Sequence, residues 1–533
     1  MWEKGWRDRV WSALDTPWDI LIIGGGITGA GILREAARAG LRVVLVEAHD
    51  FASGTSSRSS KLVHGGFRYL KNAQIKLTFE SVRERERLLQ EGRGLISPLG
   101  FLMACFKRDP IPVWIFGAGL IVYDLLALKW GHRYYDTEDL RELCPLLADE
   151  GLLGGYRYFD AQTDDARLVL RLIREAVRDG GEAINYVCAS VITDKKSGQV
   201  HGAILEDQAP DANGRTVEVR ASVVINATGA WADELRAQVG GRVRLRKLRG
   251  SHLIFPTRRL PLTRAVSFLH PEDGRPVFAI PWEGATLIGT TDVEHGPTMQ
   301  IDPQISPAEV EYLMTAAQRA FPCQELTLED VQATFSGIRP VIGTGKIDPS
   351  KESREHVLWC ENGLLTVTGG KLTTFRLMAH DVLKAACARL PEQSRQRLLA
   401  AINQRLLDAP PSEIIFADKL VGPSRLRLLG RYAADAPAVL AASRPGELEP
   451  IPGTSTLWAE LRWAARAEGV MHLDDLLLRR ARIGLLLPEG GLHLKDKIGA
   501  IVQAELGWDV RRWRQELAHY KNLWKRCYHF EHE

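Results

Sequence analysis

Residues 19–47 constrain the fold more than any other part of this chain. Residues 19–23 are a short apolar run, and a glycine-rich turn follows it at once. A helix-forming stretch comes next, and residues 42–47 then form a second apolar run that ends in an acid. Strand, glycine turn, helix and strand within about thirty residues are typical of a βαβ unit. The sequence therefore predicts the first unit of a parallel sheet.

The spacing of the glycines predicts what this unit binds. Gly24, Gly26 and Gly29 fit the pattern in which the first glycine makes a tight turn, the second admits a pyrophosphate and the third lets helix and strand pack closely. The helix N-terminus would offer N–H groups to the phosphates. Glu47 lies 18 residues after Gly29, where an acid can accept hydrogen bonds from a ribose. This pattern predicts dinucleotide binding, although it does not by itself separate FAD from NAD.

Composition excludes several classes of protein. The 533 residues are 45% hydrophobic and 25% charged, as in ordinary globular proteins of two or three domains. A net charge of +3 does not provide the broad basic field of a nucleic-acid binder, so no nucleic-acid partner is expected. The 7 cysteines are scattered and form no C-x-x-C pair, so we expect reduced thiols and no metal site.

Two apolar segments raise the question of a membrane. Residues 111–128 contain a proline and an aspartate and barely reach the length of a transmembrane helix, which favours a buried helix. Residues 1–18 resemble neither a signal peptide nor a transit peptide. In that stretch, however, apolar residues recur every four positions, at Trp2, Trp6, Val10 and Leu14. This period fits an interfacial helix as well as it fits packing against the dinucleotide domain.

Further along the chain, the hydrophobic pattern changes twice. Strands predicted at 221–227 and 364–368 both run into glycine turns, as the first strand does. Between them, residues 250–292 alternate apolar and polar positions with intervening turn signals, which is typical of an antiparallel sheet. After about residue 400, apolar residues recur at helical spacing.

A family resemblance rests on several motifs. Residues 55–70 read T-S-S-R-S-S-K-L-V-H-G-G-F-R-Y-L, and this run resembles the flavin-wrapping segment of the FAD-dependent, aerobic glycerol-3-phosphate dehydrogenases. Further motifs similar to those of the family follow in order along the chain: R-G-S-H at 249–252, I-G-T-T-D at 288–292, S-G-I-R-P at 336–340, G-G-K-L-T-T at 369–374 and R-I-G-L-L-L-P at 482–488, with N-A-T-G at 226–229 before them. The resemblance covers nearly the whole chain.

The resemblance implies a fold and a domain organisation. The expected class is α/β, with a Rossmann-like FAD-binding domain of the glutathione-reductase and D-amino-acid-oxidase type. Residues 1–18, which precede the first predicted strand, depart from the family pattern and would be an N-terminal extension. Residues 19–390 would hold the FAD-binding domain, interleaved with an antiparallel substrate-binding sheet at roughly 240–340. Residues 400–533 would form a C-terminal helical cap.

The resemblance also implies FAD as the cofactor. In addition, the glycine pair at 369–370 precedes a predicted helix, whose N–H groups would stabilise negative charge on the reduced flavin. The residues implied to contact FAD are Gly24, Gly26, Gly29, Glu47, Thr55, Ser56, Ser60, Lys61, His64, Gly65, Thr228, Gly229, Gly370, Leu372 and Thr373.

The implied substrate is glycerol 3-phosphate, whose phosphate calls for cations because guanidinium groups match phosphate oxygens. The residues implied to bind it are Arg68, Tyr69, Arg339, Arg354, Lys371 and Thr374. The group that takes the hydroxyl proton is left open among His252, His64 and Arg339. His252 is favoured because a histidine pKa lies near the operating pH. Arg339 and Lys371 are placed with it at the reacting centre, Arg339 mainly to stabilise phosphate and alkoxide.

The resemblance therefore implies oxidation of sn-glycerol 3-phosphate to dihydroxyacetone phosphate, with electrons passed to ubiquinone or menaquinone. It implies a cytoplasmic protein bound peripherally to the inner face of the cell membrane, and it leaves a homodimer open. The nearest alternative is an oxidase that reduces O2 to H2O2, although those oxidases carry a mid-chain insertion that this sequence lacks. A flavoprotein without turnover and an NAD-dependent dehydrogenase are the remaining alternatives.

Overall fold

The structure is a computed structural model. It describes residues 2–70, 74–296, 299, 301–343, 355–401, 404–410, 420 and 422–530, without the side chains of residues 68 and 69.

The strands have the following bounds: β1 Trp18–Ile23, β2 Val43–Val46, β3 Leu62–Val63, β4 Ile96–Phe106, β5 Arg133–Tyr135, β6 Leu152–Thr163, β7 Glu182–Ile184, β8 Val187–Thr193, β9 Val200–Asp207, β10 Thr216–Asn226, β11 Leu245–Pro256, β12 Ala265–Leu269, β13 Pro276–Trp282, β14 Ala285–Gly289, β15 Val293–Glu294, β16 Ala333–Ile342, β17 His356–Glu361 and β18 Leu364–Gly369.

The helices have the following bounds: α1 Trp6–Ser12, α2 Ile27–Arg38, α3 Phe67–Leu70, α4 Ile75–Glu91, α5 Val113–Ala127, α6 Thr137–Leu143, α7 Asp165–Arg178, α8 Ala232–Ala237, α9 Pro307–Ala320, α10 Phe375–Ala386, α11 Glu392–Ala401, α12 Gly422–Tyr432, α13 Ala436–Ala442, α14 Trp458–Ala467, α15 Ile483–Leu486, α16 Lys495–Leu506 and α17 Val510–Cys527.

The first sheet has the order β17-β18-β10-β1-β2-β7, in which all neighbours are parallel except β17 and β18. Strand β9 also pairs with β10, and β8 pairs with β9, both antiparallel. In the centre, Ile22 of β1 pairs with Leu45 of β2 and Ile225 of β10. These strands are almost continuously apolar because helices such as α2 cover the sheet. The carboxyl ends of β1, β2, β10 and β18 meet at one edge, which is where open α/β sheets bind ligands.

The second sheet has the order β15-β11-β14-β13-β12-β4-β6-β3, with β16 beside β11 and β5 beside β6. Its strands come from two separate parts of the chain, residues 62–163 and 245–342. The sheet is therefore larger than the predicted segment at 240–340. Strand β4 is hard to predict because it contains Pro98 and Gly100, which usually interrupt strands. The two sheets and the C-terminal helices confirm the predicted fold class.

Helix α1 packs against the first domain. Trp2, Trp6, Val10 and Leu14 are all buried in the core that contains β1 and β2. Trp2 also stacks on Phe51, with ring centroids 5.1 Å apart. Of the two interpretations that the sequence left open, packing is therefore confirmed, and the interfacial helix is wrong for this segment.

Helix α5, predicted to be buried, is buried on one face only. Its inner face is buried through Gly117, Leu120 and Tyr123. Its outer face, however, exposes Trp114 and Leu125 at 70% and 62% of their surface. The prediction of a buried helix is therefore half wrong, because no other described element covers this face. Among the described residues, no helix combines the length and the hydropathy that would take it across a bilayer.

Candidate active site

A large cavity lies at the carboxyl edge of the first sheet and extends along the second sheet. Its volume is about 1640 Å³. Pockets for ordinary small ligands span about 300–1,000 Å³, so this cavity has room for a dinucleotide together with a substrate. Most of the residues that the sequence implicated line its wall.

The glycine turn after β1 is tight. Gly24 has a φ of +116°, and a Cβ atom there would lie 2.5 Å from the carbonyl oxygen of Ala227. A Cβ atom on Gly29 would lie 1.9 Å from the carbonyl oxygen of Gly24, so helix α2 can approach β1 only because both residues are glycines. Gly24 and Gly26 line the cavity, whereas Gly29 acts from behind through this packing.

Glu47 lines the cavity at the carboxyl end of β2. Its carboxylate accepts hydrogen bonds from the backbone N–H of Gly25 (2.6 Å) and of His49 (2.9 Å), which fix its position. Burial raises the pKa of Glu47, and these two donors oppose that rise. An acceptor held rigidly beside the glycine turn suits a ribose diol.

The serine-rich segment divides into two groups. Thr55, Ser56 and Ser60 line the cavity, and Ser56 Oγ also accepts a hydrogen bond from the N–H of Ile27 at the start of α2 (2.9 Å). Lys61 points away from the cavity. Its Nζ donates to the carbonyl oxygen of Ser57 (2.6 Å) and to the buried carboxylate of Asp165 (2.8 Å).

Lys61 therefore stabilises the serine-rich segment on the side that faces away from the cavity, and its side chain does not line the cavity. Burial lowers the pKa of Lys61 to about 7, against the opposing effect of Asp165.

Two glycine-containing turns lie side by side in the cavity wall and are hydrogen-bonded to each other. Thr373 Oγ1 accepts a hydrogen bond from the N–H of His64 and donates one to the carbonyl oxygen of His64, both at 3.1 Å. Gly370, with a φ of +70°, and Leu372 line the cavity beside them. The N–H of Gly65 donates to Asp160 (2.9 Å), so this residue supports the turn without lining the cavity.

A third turn follows β10. Thr228 and Gly229 line the cavity. Thr228 Oγ1 donates to the Asn226 side chain (2.7 Å), and the carbonyl oxygen of Gly229 accepts from Thr368 on β18 (3.0 Å). The motifs after β1, β10 and β18 thus meet at the same edge of the sheet.

Arg339 lines the part of the cavity beside the second sheet, which we call the substrate end. It extends from β16 across β11, where a Cβ atom on Gly250 would lie 2.2 Å from its Nη2. The glycine of the R-G-S-H motif therefore makes room for the guanidinium group. Arg339 Nη2 donates to Thr290 Oγ1 (2.7 Å), and its Nη1 lies 3.3 Å from Asp292 Oδ1.

Lys371 also lines the cavity, and its Nζ donates to Ser81 Oγ (3.1 Å).

His252 lies behind the wall of the cavity. Its ring stacks on Phe335, with centroids 4.6 Å apart, and Nε2 shares a hydrogen bond of 2.9 Å with Ser60 Oγ, which does line the cavity. Nδ1 has no hydrogen-bond partner among the described residues. Burial, together with the charges of Arg339 and Lys61, lowers the pKa of His252 well below 6.5. In this environment the imidazole stays neutral and orients Ser60. It is poorly suited to the predicted role of a general base, which must accept a proton.

Other predicted substrate residues are less well placed or lie outside the described part of the chain. Thr374 is buried at the start of α10 and does not line the cavity. The side chains of Arg68 and Tyr69, and the whole of Arg354, lie outside the described residues.

Sequence reasoning missed two charged residues near Arg339. Arg275 lines the cavity at the start of β13, and its Nη2 lies 3.0 Å from Asp292 Oδ2. Asp292 is the last residue of the I-G-T-T-D motif, so that motif could have indicated it. Nothing local in the sequence distinguishes Arg275 from a turn residue exposed to solvent.

This donor set fits FAD. The tight glycine turn suits a pyrophosphate, Glu47 suits a ribose, and the cavity is long enough to reach from them to the turns at His64 and Gly370.

Comparisons with known proteins agree with that fit. The family model of FAD dependent oxidoreductases matches residues 19–376, and that of the C-terminal domain of alpha-glycerophosphate oxidase matches residues 415–513. Glycerol-3-phosphate dehydrogenase 2 of Mycobacterium tuberculosis is 35% identical over 96% of this chain and 89% of its own length. The chain belongs to the FAD-dependent glycerol-3-phosphate dehydrogenases.

Two further relatives of this dehydrogenase bear on its cofactor. The aerobic glycerol-3-phosphate dehydrogenase of Staphylococcus aureus is 39% identical over 70% of this chain and 67% of its own. The crystal structure of glycerol-3-phosphate dehydrogenase from Bacillus halodurans, complexed with FAD, has a TM-score of 0.75 and 28% identity, and covers 99% of this chain and 98% of that one. FAD is thus the cofactor, and when bound it accepts a hydride. The residues described above would hold it.

Proposed function

We propose that this dehydrogenase oxidises sn-glycerol 3-phosphate to dihydroxyacetone phosphate and passes the electrons to a membrane quinone. The observation that carries the proposal is the set of cations, including Arg339 and Lys371, on the cavity wall that also holds the flavin-binding turns. A small polyol phosphate offers little besides its phosphate for recognition, and charge-assisted hydrogen bonds to phosphate are the strongest contacts available to it.

The protein's part in the chemistry follows from the positions of these groups. Arg339 is held at two points, by Thr290 and Asp292, so its guanidinium group is preorganised. This fixed positive charge is available to the oxygens of the substrate's phosphate. Ser60, oriented by His252, places a hydroxyl group in the same cavity.

The outer face of α5 supports a bilayer as the source of the electron acceptor. Besides Trp114 and Leu125, the face exposes Ile121, and Leu128 and Trp130 just beyond the helix are also exposed. Tryptophans at such a surface are typical of membrane interfaces. Neighbouring cations, Lys107, Arg108 and Lys129, are exposed and suit anionic lipids.

The same helix links this surface with the cavity. Ile115 and Val122 line the cavity and are also 43% and 40% exposed, so the apolar cavity wall continues into the exposed face. A lipid-soluble quinone, ubiquinone or menaquinone, could therefore approach the flavin from the bilayer without crossing water. This arrangement supports a cytoplasmic protein that is bound peripherally to the inner face of the cell membrane.

Rapid mixing tests the acceptor. The holoenzyme is first reduced anaerobically with glycerol 3-phosphate and is then mixed with a short-chain quinone or with oxygen, while flavin absorbance and peroxide are followed. We expect fast reoxidation by quinone and slow reoxidation by oxygen. Fast, stoichiometric formation of H2O2 would instead establish the glycerol-3-phosphate oxidase alternative.

A further inference from the structure

Asp292 joins two arginines at the substrate end of the cavity. Its carboxylate is 1% exposed, with Oδ1 3.3 Å from Arg339 Nη1 and Oδ2 3.0 Å from Arg275 Nη2. The two arginine side chains remain 24% and 32% exposed, and both line the cavity. The buried acid therefore stands behind two guanidinium groups that face the space in which the substrate would bind.

Residues on or beside three separate strands build this group. Arg339 lies on β16, Asp292 follows β14, and Arg275 immediately precedes β13. Strands β13 and β14 are antiparallel neighbours, which brings Arg275 close to Asp292 although they are 17 residues apart in the chain. Gly250 on β11 lets Arg339 reach the same carboxylate.

We propose that Arg275 is a second ligand of the substrate's phosphate, and that Asp292 is a positioning residue that aligns Arg275 with Arg339. The inference rests on the proposed function. A guanidinium group carries five N–H donors in a planar fork, more than one carboxylate oxygen can accept. Two aligned guanidinium groups can therefore meet different oxygens of one phosphate.

The charges make the role of Asp292 testable. Without the carboxylate, two neighbouring guanidinium groups would repel each other and separate. If total charge alone governed binding, removing the acid would tighten the binding of phosphate. If alignment governs it, removing the acid weakens binding even though the site becomes more positive.

The experiment uses holoenzyme and anaerobic stopped-flow measurement of flavin reduction over a range of glycerol 3-phosphate concentrations. Inorganic phosphate serves as a competing anion that undergoes no oxidation. For Arg275→Met we expect the apparent Kd of the substrate and the Ki of phosphate both to rise about ten- to 150-fold, the loss of one charge-assisted hydrogen bond. The limiting rate of reduction should change less than about twofold, because Arg275 does not touch the reacting carbon.

Conservative variants separate positioning from charge. Arg275→Lys keeps the charge without the fork and should recover part of the lost affinity. Asp292→Asn should weaken the binding of both substrate and phosphate. The flavin content and melting temperature of this variant show whether it folds. Arg259→Met, which breaks an arginine pair with Asp330 away from the cavity, is the matched control and should bind as the wild type does.

Unchanged Kd and Ki in Arg275→Met would overturn the proposal, as would a loss confined to the limiting rate. Tighter phosphate binding in Asp292→Asn would overturn the positioning role. If glycerol 3-phosphate does not reduce the wild-type flavin at all, the proposed function fails, and phosphate binding then still tests the anion site alone.

Discussion

Two groups of arginines in this molecule differ in burial and in what they contact. At the boundary with the C-terminal helices, Arg479 and Arg480 are buried and both pair with Asp50, just beyond β2. Arg482 is buried as well and donates to Asp165 (3.1 Å). At the substrate end of the cavity, by contrast, Arg275 and Arg339 are partly exposed and share the carboxylate of Asp292.

The difference follows from the cost of burying charge. A buried guanidinium group needs an acidic partner, so Arg479, Arg480 and Arg482 connect the C-terminal helices to the first domain through Asp50 and Asp165. Arg275 and Arg339 face the cavity, where a ligand anion can complete their coordination. The buried arginines join parts of the fold, whereas we propose that the partly exposed pair binds the substrate's phosphate.

The largest effect is expected at the buried group. Asp50→Leu leaves Arg479 and Arg480 without their shared partner, which should cost about 3–5 kcal/mol of stability and lower the flavin content. Chemical denaturation with flavin release as a second signal measures both. Asp149→Leu, at the exposed pair with Arg141, should melt close to the wild type, since exposed pairs contribute little. Equal losses in the two variants would remove the distinction.

The pH dependence sharpens the same contrast. Burial raises the pKa of Asp50, but the charges of Arg480 and Arg479 outweigh it and lower the pKa to about 2. An acid with a lowered pKa stabilises the fold above its unfolded pKa of 3.8 and loses that contribution as the pH falls toward 2. The stability difference between wild type and Asp50→Asn should therefore shrink as the pH falls from about 4 toward 2. A difference that stays unchanged down to about pH 2 would contradict this account.

The next effect concerns recognition of the substrate. Arg339→Leu should lower kcat/KM for glycerol 3-phosphate about ten- to 150-fold with normal flavin content, the loss of one charge-assisted hydrogen bond. Trace activity on glycerol should change little if Arg339 anchors the phosphate. If both substrates lose activity together through kcat, Arg339 acts on the alkoxide instead. Unchanged kinetics on both would exclude it from either role.

A smaller effect is expected at His252. Because its pKa is lowered well below 6.5, it should stay neutral throughout the usual assay range. The pH profile of kcat/KM should then show no step near 6.5 that disappears in His252→Gln, although the variant should be slower if Ser60 loses its orientation. A step near 6.5 in the wild type alone would show that His252 titrates as a general base.

The sequence predicted the turns at the carboxyl edge of the first sheet better than it predicted the residues around the substrate end of the cavity. Gly24, Glu47 and Thr373 belong to local motifs whose geometry depends on a few neighbouring residues. Arg275 became visible only in the structure, because its partner Asp292 is brought to it by strand pairing. His252 was placed in the right region, but its burial behind Ser60 depends on the packing of Phe335 and could not be inferred from its motif.

Helices α1 and α5 show a second limit of prediction from the sequence. A periodic apolar pattern shows that α1 and α5 each have a face to cover, but it does not say whether protein or lipid covers it. In α1 the face meets the core of the first domain, whereas α5 presents its face outward.

The smallest effect on the folded enzyme is expected at α5. Because Leu125 and Leu128 are exposed, the double substitution Leu125→Lys and Leu128→Lys should change the free energy of unfolding by less than about 0.5 kcal/mol and leave dye-linked activity intact. Binding to vesicles and activity with a long-chain quinone in vesicles should both fall. Val243→Lys, at an exposed apolar residue outside α5, is the control. Unchanged vesicle binding in the α5 variant would place the membrane contact elsewhere.

An anaerobic spectral titration of the purified holoenzyme tests the central claim most directly. One equivalent of sn-glycerol 3-phosphate per flavin should bleach the oxidised flavin spectrum and yield dihydroxyacetone phosphate, whereas glycerol at the same concentration should not. A flavin spectrum that glycerol 3-phosphate leaves unchanged, in protein that dithionite still reduces, would contradict the proposed function.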